Sequence, residues 1–249
     1  MKKILFGLLV LVFLVACNLN EDDNQIQTNY TSIATVQNLN ANSGFYFRLD
    51  NNDLMWVTKT NFPSYRPKTG QRIIANYDIL SVNNGNALYN HKVILNDVYE
   101  VLTKGIFNVT PATEDSIGND QVEILDIWIG SHFLNFEFVY PGYNKIHFIN
   151  LVADTAKNKT YTDGKLHLEF RHNANNDYPQ YNRWGVVSFD ISSLQADAIG
   201  DSVNMVIHTK EYDTPSLKSY NITYKFGTNT SPAAVIKRIA IPKNVDIIH

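Results

Sequence analysis

The 249-residue chain has a single cysteine, Cys17. A lone cysteine closes no internal disulfide, which excludes a disulfide-stapled scaffold. Basic residues are not in excess: 21 Lys and Arg stand against 24 Asp and Glu, a net charge of −3. Phosphate-backbone binding needs a basic surface, so nucleic acid is not an expected partner. After residue 16 no apolar run approaches the roughly 20 residues that span a bilayer as a helix. No stretch of about 10–12 residues keeps a 3.6-residue period, which argues against helices. Chemistry-bearing motifs are also missing. There is no Gly-x-Ser-x-Gly elbow, no His-Glu-x-x-His, no phosphate loop and no dinucleotide fingerprint. Neither an enzyme nor a cofactor is expected.

What is present begins at the N-terminus. Met1-Lys2-Lys3 is a short basic start, and Ile4 to Val15 is almost wholly apolar. That length suits a signal-peptide core. It ends in Leu14-Val15-Ala16-Cys17, which resembles the lipobox of bacterial lipoproteins. Cleavage before Cys17 and acylation of its thiol are therefore expected, with residues 1–16 as the signal peptide. One acyl chain holds weakly, so stable anchoring takes more than one. Loss of Lys2 and Lys3 would leave 19 basic against 24 acidic side chains, a net of −5.

Residues 17–30 read as a polar, unpatterned tether, too poor in apolar residues to offset the entropy of ordering. Glu21, Asp22 and Asp23 sit just behind the lipid site. They read either as a plain solvated linker or as a surface-export signal, since they resemble the acidic stretch behind the cysteine of exported Bacteroidota lipoproteins. The expected location is the outer membrane, lipid-anchored, on the cell surface or otherwise on the periplasmic face.

From Tyr30 onward the chain reads as strands. Thr31 to Leu39, Gly44 to Leu49, Leu54 to Lys59, Gln71 to Val82 and His91 to Phe107 make five regions. Asn51-Asn52-Asp53 is turn chemistry and joins two of them in a hairpin. Five short strands at this spacing fit a small barrel. Asn108 to Asp120 is polar, with a Pro and a Gly, and reads as a boundary. The second half alternates cleanly. Leu134, Phe136, Phe138 and Tyr140 share a face, as do Leu166, Leu168 and Phe170, Val187, Phe189 and Ile191, and Tyr220, Ile222, Tyr224 and Phe226. About seven such strands predict an antiparallel, immunoglobulin-like β-sandwich. The fold class is therefore all-β, a barrel over 31–109 and a sandwich over 118–245, expected to fold separately.

Two blocks carry a family resemblance. Thr69-Gly70-Gln71-Arg72-Ile73 with Asn96-Asp97-Val98-Tyr99 resembles the NigD-like N-terminal OB domain. Leu168 to Asn173, Asp177 and Val187 to Leu194 resemble the NigD-like C-terminal β-sandwich domain. The resemblance implies an OB-like barrel followed by a sandwich in a Bacteroidota lipoprotein. It brings no catalytic residues.

Candidate site residues fall in two groups. The loop from Arg171 to Trp184 mixes His172, Asp177, Tyr178, Tyr181, Arg183 and Trp184, a set suited to sugar or peptide contacts. Its structural alternative is that His172 and Asp177 pin a long hairpin, and that reading is favoured. In the barrel, Tyr46, Arg48, Trp56 and Lys59 would lie on the face that OB folds offer to oligosaccharides or oligonucleotides. Trp56 is equally an ordinary core aromatic. The histidines at 91, 132, 147, 167, 172 and 208 fall on different strands. His167 and Glu169 share one strand face with Lys165 and Arg171, which reads as solvated, and no metal is expected. Ser116, Thr155 and Ser202 each follow an Asp, in a pattern used for O-glycosylation in exported Bacteroidota proteins. The expected function is a non-enzymatic envelope binding module for a glycan or an envelope protein. The alternative is a periplasm-facing bacteriocin-immunity or assembly factor.

Overall fold

The computed structural model describes residues 27–38, 44–82, 88–196, 198, 200–212, 214, 216–226 and 239. Cys17, Glu21, Asp22 and Asp23 lie outside them. Five strands close a barrel: β1 (Gln27–Asn38), β2 (Phe45–Leu49), β3 (Leu54–Thr60), β4 (Arg72–Val82) and β5 (His91–Glu100). Their order round the wall is β1-β2-β3-β5-β4. Alternation builds the interior: Phe47, Leu49, Met55, Ile73, Ala75, Tyr77, Val93 and Leu95 all point inward and are buried. The β2–β3 hairpin turns where Asn51 to Asp53 predicts it, with Asn52 at positive φ and Leu49 N–H donating to the Asp53 carbonyl. Gln27 to Tyr30, read as tether, belong to β1, and Tyr30 stacks on Tyr77 with ring centroids 5.6 Å apart.

The sandwich is built from β6 (Leu102–Gly105), β7 (Phe107–Asn108), β8 (Glu123–Gly130), β9 (Phe133–Gly142), β10 (Phe148–Ala153), β11 (Leu166–Asn173), β12 (Tyr181–Asp190), β13 (Ser202–Thr209) and β14 (Lys218–Lys225). One sheet runs β6-β12-β9-β8 and the other β14-β13-β11-β10-β7. The core between them is the alternating set, with Phe136, Phe138, Phe170 and Phe189 in mutual ring contact. Residues 102–108, read as the end of the barrel, instead pair in parallel with β12 and β10. β11 and β13 also pair in parallel, so the sheets are mixed. The supposed linker lies against the sandwich. It carries the helical turn α1 (Glu114–Ile117), and Val109 and Ile117 are buried against Val152. The face carrying His167 and Arg171 is covered rather than solvated. Arg171 is clamped by Glu169 and Glu114, and His167 lies under Tyr161, near the turn α2 (Thr155–Asn158).

Barrel and sandwich meet wall to wall. Ile33 and Ile74, opposite each other on the outside of β1 and β4, pack with Val101, Trp184 and Ile239. Beside this apolar seam sits a buried polar node. Arg72 makes a two-pronged ion pair with Asp50, at 2.6 and 3.0 Å. Its other donors reach Thr35, Asn135 and Ser188, and its guanidinium lies 4.4 Å from the Phe133 ring centroid. Trp128 and Asn135 of the sandwich both donate to Asp50. Gly130 is required here by close approach, because a Cβ would collide with the Asp50 carboxylate.

Candidate functional site

The outer wall of β2, β3 and β5 carries an ordered row. Tyr46 of β2 pairs with Gln37 on one side and Trp56 on the other, and Trp56 pairs with Lys92 of β5. Direct cross-strand partners share a face, and Phe47, Met55 and Val93 beside them point inward, so these side chains line the outer wall. Trp56 is half-buried and stacks on Tyr89 with centroids 6.1 Å apart. The Lys92 ammonium lies 6.0 Å from the Tyr89 ring centroid. Arg48, two residues from Tyr46, faces the same way. So does Lys59, opposite Ile94 across a bulge. The structure thus brings Tyr46, Arg48, Trp56 and Lys59 onto one surface, and adds Tyr89 and Lys92. Sequence alone missed those two because Tyr89 precedes its strand and Lys92 meets Trp56 through a parallel pairing.

The loop residues sort differently. Trp184 is not a surface contact. It is fully buried in the seam and donates its indole N–H to Glu137 at 2.9 Å. His172 and Asp177 are brought together, through His147 between them. Asp177 faces His147 Nε2 at 3.1 Å, and His147 Nδ1 faces His172 Nε2 at 2.7 Å. The Gln121 carbonyl, 3.3 Å from His172 Nδ1, can only accept, so Nδ1 carries a proton and Nε2 accepts from His147. Burial would raise the Asp177 carboxyl, but the N–H groups of Tyr143, Asn144 and Lys145 and the His147 ring outweigh it and hold it below the usual carboxylate range. Burial first, then the His147 charge, pushes His172 down to about 4. The Lys145 ammonium ties the same turn to the carbonyls of Asn175 and Asn176, and Arg183 donates to the Tyr143 carbonyl. Asp177 and His172 therefore pin two loops together. Tyr143, Tyr178 and Tyr181 stand exposed on them.

A second relay crosses the covered outer face of the five-stranded sheet. Asp163 faces His167 Nε2 at 3.1 Å, His167 Nδ1 faces His208 Nε2 at 2.9 Å, and His208 Nδ1 faces Ser219 at 2.9 Å. Each middle imidazole has its two partners on opposite sides of the ring, so the partners cannot converge on one ion. Among the described residues no group of three or more His, Cys, Asp and Glu could hold a metal. Ser116 is exposed on α1 and Thr155 is exposed at the start of α2, while Ser202 is half-buried in β13. Among the described residues no helix is long and apolar enough to cross a membrane.

Two domain profiles match the chain: the NigD-like N-terminal OB domain over residues 33–101 and the NigD-like C-terminal beta sandwich domain over residues 105–224. The chain belongs to the NigD-like family. Solved structures agree. A Parabacteroides distasonis protein described as toxin-related is 32% identical, with a TM-score of 0.64 over 79% of this chain and 93% of its own. A Bacteroides vulgatus protein of unknown function is 28% identical, with a TM-score of 0.68 over 82% and 95%. A NigD-like immunity protein from Bacteroides caccae is 22% identical, with a TM-score of 0.63 over 78% and 96%, and shares the fold. No curated protein sequence matches this NigD-like chain.

Proposed function

We propose that this NigD-like protein is a lipid-anchored, non-enzymatic envelope protein whose barrel wall binds a glycan. The observation that carries the reading is the cross-strand row Gln37–Tyr46–Trp56–Lys92 with Tyr89 stacked beside it. Flat aromatic faces with amide and ammonium neighbours suit the apolar face and hydroxyl rim of a sugar. The anchor rests on the signal architecture ending at Cys17: palmitate feeding should label the wild type and not Cys17→Ala. The ligand reading is tested on a glycan array with the mature chain in non-ionic detergent. Wild type should bind a subset of glycans, Trp56→Phe should retain part of the signal and Trp56→Ala should lose it. Equal binding by wild type and Trp56→Ala would refute the site.

A second reading is immunity, the role in the name of the Bacteroides caccae protein, taken as protection against a bacteriocin. It expects a protein toxin as partner, so deleting the gene should sensitise cells to a kin bacteriocin while glycan binding is absent.

A further inference from the structure

The barrel row carries more charge than a neutral sugar requires. Arg48, Lys59 and Lys92 flank Tyr46 and Trp56 on the outer wall of β2, β3 and β5. Many other cations of the described chain are engaged. Arg72 is held by Asp50, Arg171 by Glu169 and Glu114, Lys157 by Glu169, Lys218 by Glu211, and Lys104 and Lys145 by carbonyl oxygens. Among the described residues Arg48, Lys59 and Lys92 have no acidic partner. The acids of the flanking turns and strands are directed elsewhere: Asp50 is held by Arg72, Asp53 accepts from Asn51 and faces His91, and Asp78 accepts the Asn29 N–H. The stretches 39–43 and 83–87, adjoining β1 and β4 in sequence, contain no Asp or Glu. Three cations that no ion pair holds among the described residues thus share one wall of a chain whose net charge is −3.

Resting on the glycan reading above, we infer that the ligand is an anionic glycan, its sugar rings stacked on Tyr46 and Trp56 and its carboxylate or sulfate groups met by Arg48, Lys59 and Lys92. An arginine fork suits a planar carboxylate, and an ammonium on a flexible stem tolerates either anion. Nucleic acid offers the same stacking and charge. The glycan is favoured because the chain as a whole is acidic and its first 16 residues read as an export signal peptide.

The test is affinity electrophoresis of the mature chain in non-ionic detergent through gels holding polygalacturonate, dextran sulfate or dextran, with single-stranded oligonucleotide and polyglutamate as competitors. Either anionic polysaccharide should retard the wild type far more than dextran, and which of the two does so identifies carboxylate or sulfate. Raising the salt should weaken retardation. Exposed ion pairs change affinity by roughly two- to fivefold each, so Arg48→Met/Lys92→Met should lose on the order of tenfold for the anionic polymer. Far-UV dichroism and an unchanged melting midpoint certify the fold of the variant. Equal retardation by dextran, unaffected in the double variant, would overturn the anionic class while leaving glycan binding intact. No retardation by any polysaccharide would overturn both readings. Tighter competition by oligonucleotide or polyglutamate than by soluble polygalacturonate would overturn the glycan as ligand.

Discussion

Replacing Arg72 by Met is the sharpest probe of how the two β-units are joined. The Arg72 side chain is fully buried and that of Asp50 is 13% exposed. Met fills a similar volume but removes the guanidinium, leaving the Asp50 carboxylate against Trp128 and Asn135 with its cation gone. Asn135 and Ser188 lose a donor at the same time. Removing one partner of a buried pair costs about 3–5 kcal/mol, a large share of the roughly 5–15 kcal/mol that holds a protein folded. With a urea slope of about 2–3 kcal/mol per molar for a chain of this size, the midpoint should fall by roughly 1–2.5 M. Equilibrium unfolding of the mature chain by tryptophan emission and by far-UV dichroism gives the readout. The wild type should show one coincident transition. Arg72→Met should show an early loss of the Trp128 and Trp184 signal, because both indoles lie at the seam. Asp50→Asn/Arg72→Met should recover part of the loss, since neither charge is then stranded. A midpoint shift below about 0.3 M would refute the weld. So would two separate transitions in the wild type, the outcome expected if 31–109 and 118–245 fold independently.

Acid should weaken the sandwich tip in two stages. His172 is lowered from 6.5 to about 4, so the folded chain binds fewer protons than the unfolded one in that window, and stability falls as pH drops through it by at most about 3 kcal/mol. His172→Gln should flatten the dependence of the urea midpoint between pH 6.5 and 4, and an unchanged slope would show that another group is responsible. The depressed Asp177 carboxyl adds stability that is present above its unfolded value near 4 and is lost as pH falls further, so Asp177→Asn should remove the second stage alone. Gly130→Ala should lower stability by about 1–3 kcal/mol through collision with Asp50, whereas Gly105→Ala, with open space at its Cβ, should stay near neutral in the same thermal melt. Replacing Glu21, Asp22 and Asp23 by Asn tests surface export: external protease should shave wild-type cells and spare the variant, and a protected wild type would favour the periplasmic face.

Strand positions were legible because half-buried strands alternate. Leu134, Phe136, Phe138 and Tyr140 were placed inward by period alone, and they line the core. The 49–54 hairpin was legible because Asn and Asp tolerate the positive φ that its turn uses. Residues 102–108 were not legible. Leu102-Thr103-Lys104-Gly105 is a short edge segment, and period says nothing about which sheet a strand joins. The histidine relays were also hidden. His147 and His172 are 25 residues apart and His167 and His208 are 41 apart, so adjacency came from strand pairing that no local pattern encodes. Trp184 looked like a loop aromatic because it sits at the end of a polar run, yet β12 turns it into the seam.

The seam also explains why the outer wall of the barrel has two characters. Arg72 to Ala75 in β4 are four consecutive buried residues, which on a strand means that both faces are covered. Ile73 and Ala75 fill the barrel, while Arg72 and Ile74 face the sandwich. Along β2, β3 and the first part of β5 one face alone is fully buried, and Tyr46, Trp56 and Lys92 stay on the other side, whereas Tyr99 near the end of β5 packs on the seam. Both arcs place large side chains outside the barrel, so composition cannot separate a docking face from a ligand face. Their polar partners can. Asp50 neutralises Arg72 within the seam, and such a buried cation is tolerable only with its anion in place. Arg48 and Lys92 need no internal anion because water reaches them, and that leaves them able to meet one from outside. Giving the open arc an internal anion of its own should therefore abolish binding without unfolding the protein. Tyr46→Glu, a change at a half-buried wall position that places a carboxylate beside Trp56, should lower retardation by anionic polysaccharide at least as far as the double neutral variant while the urea midpoint falls by less than about 0.5 M. Retained binding by that variant would mean that the ligand lies elsewhere on the molecule.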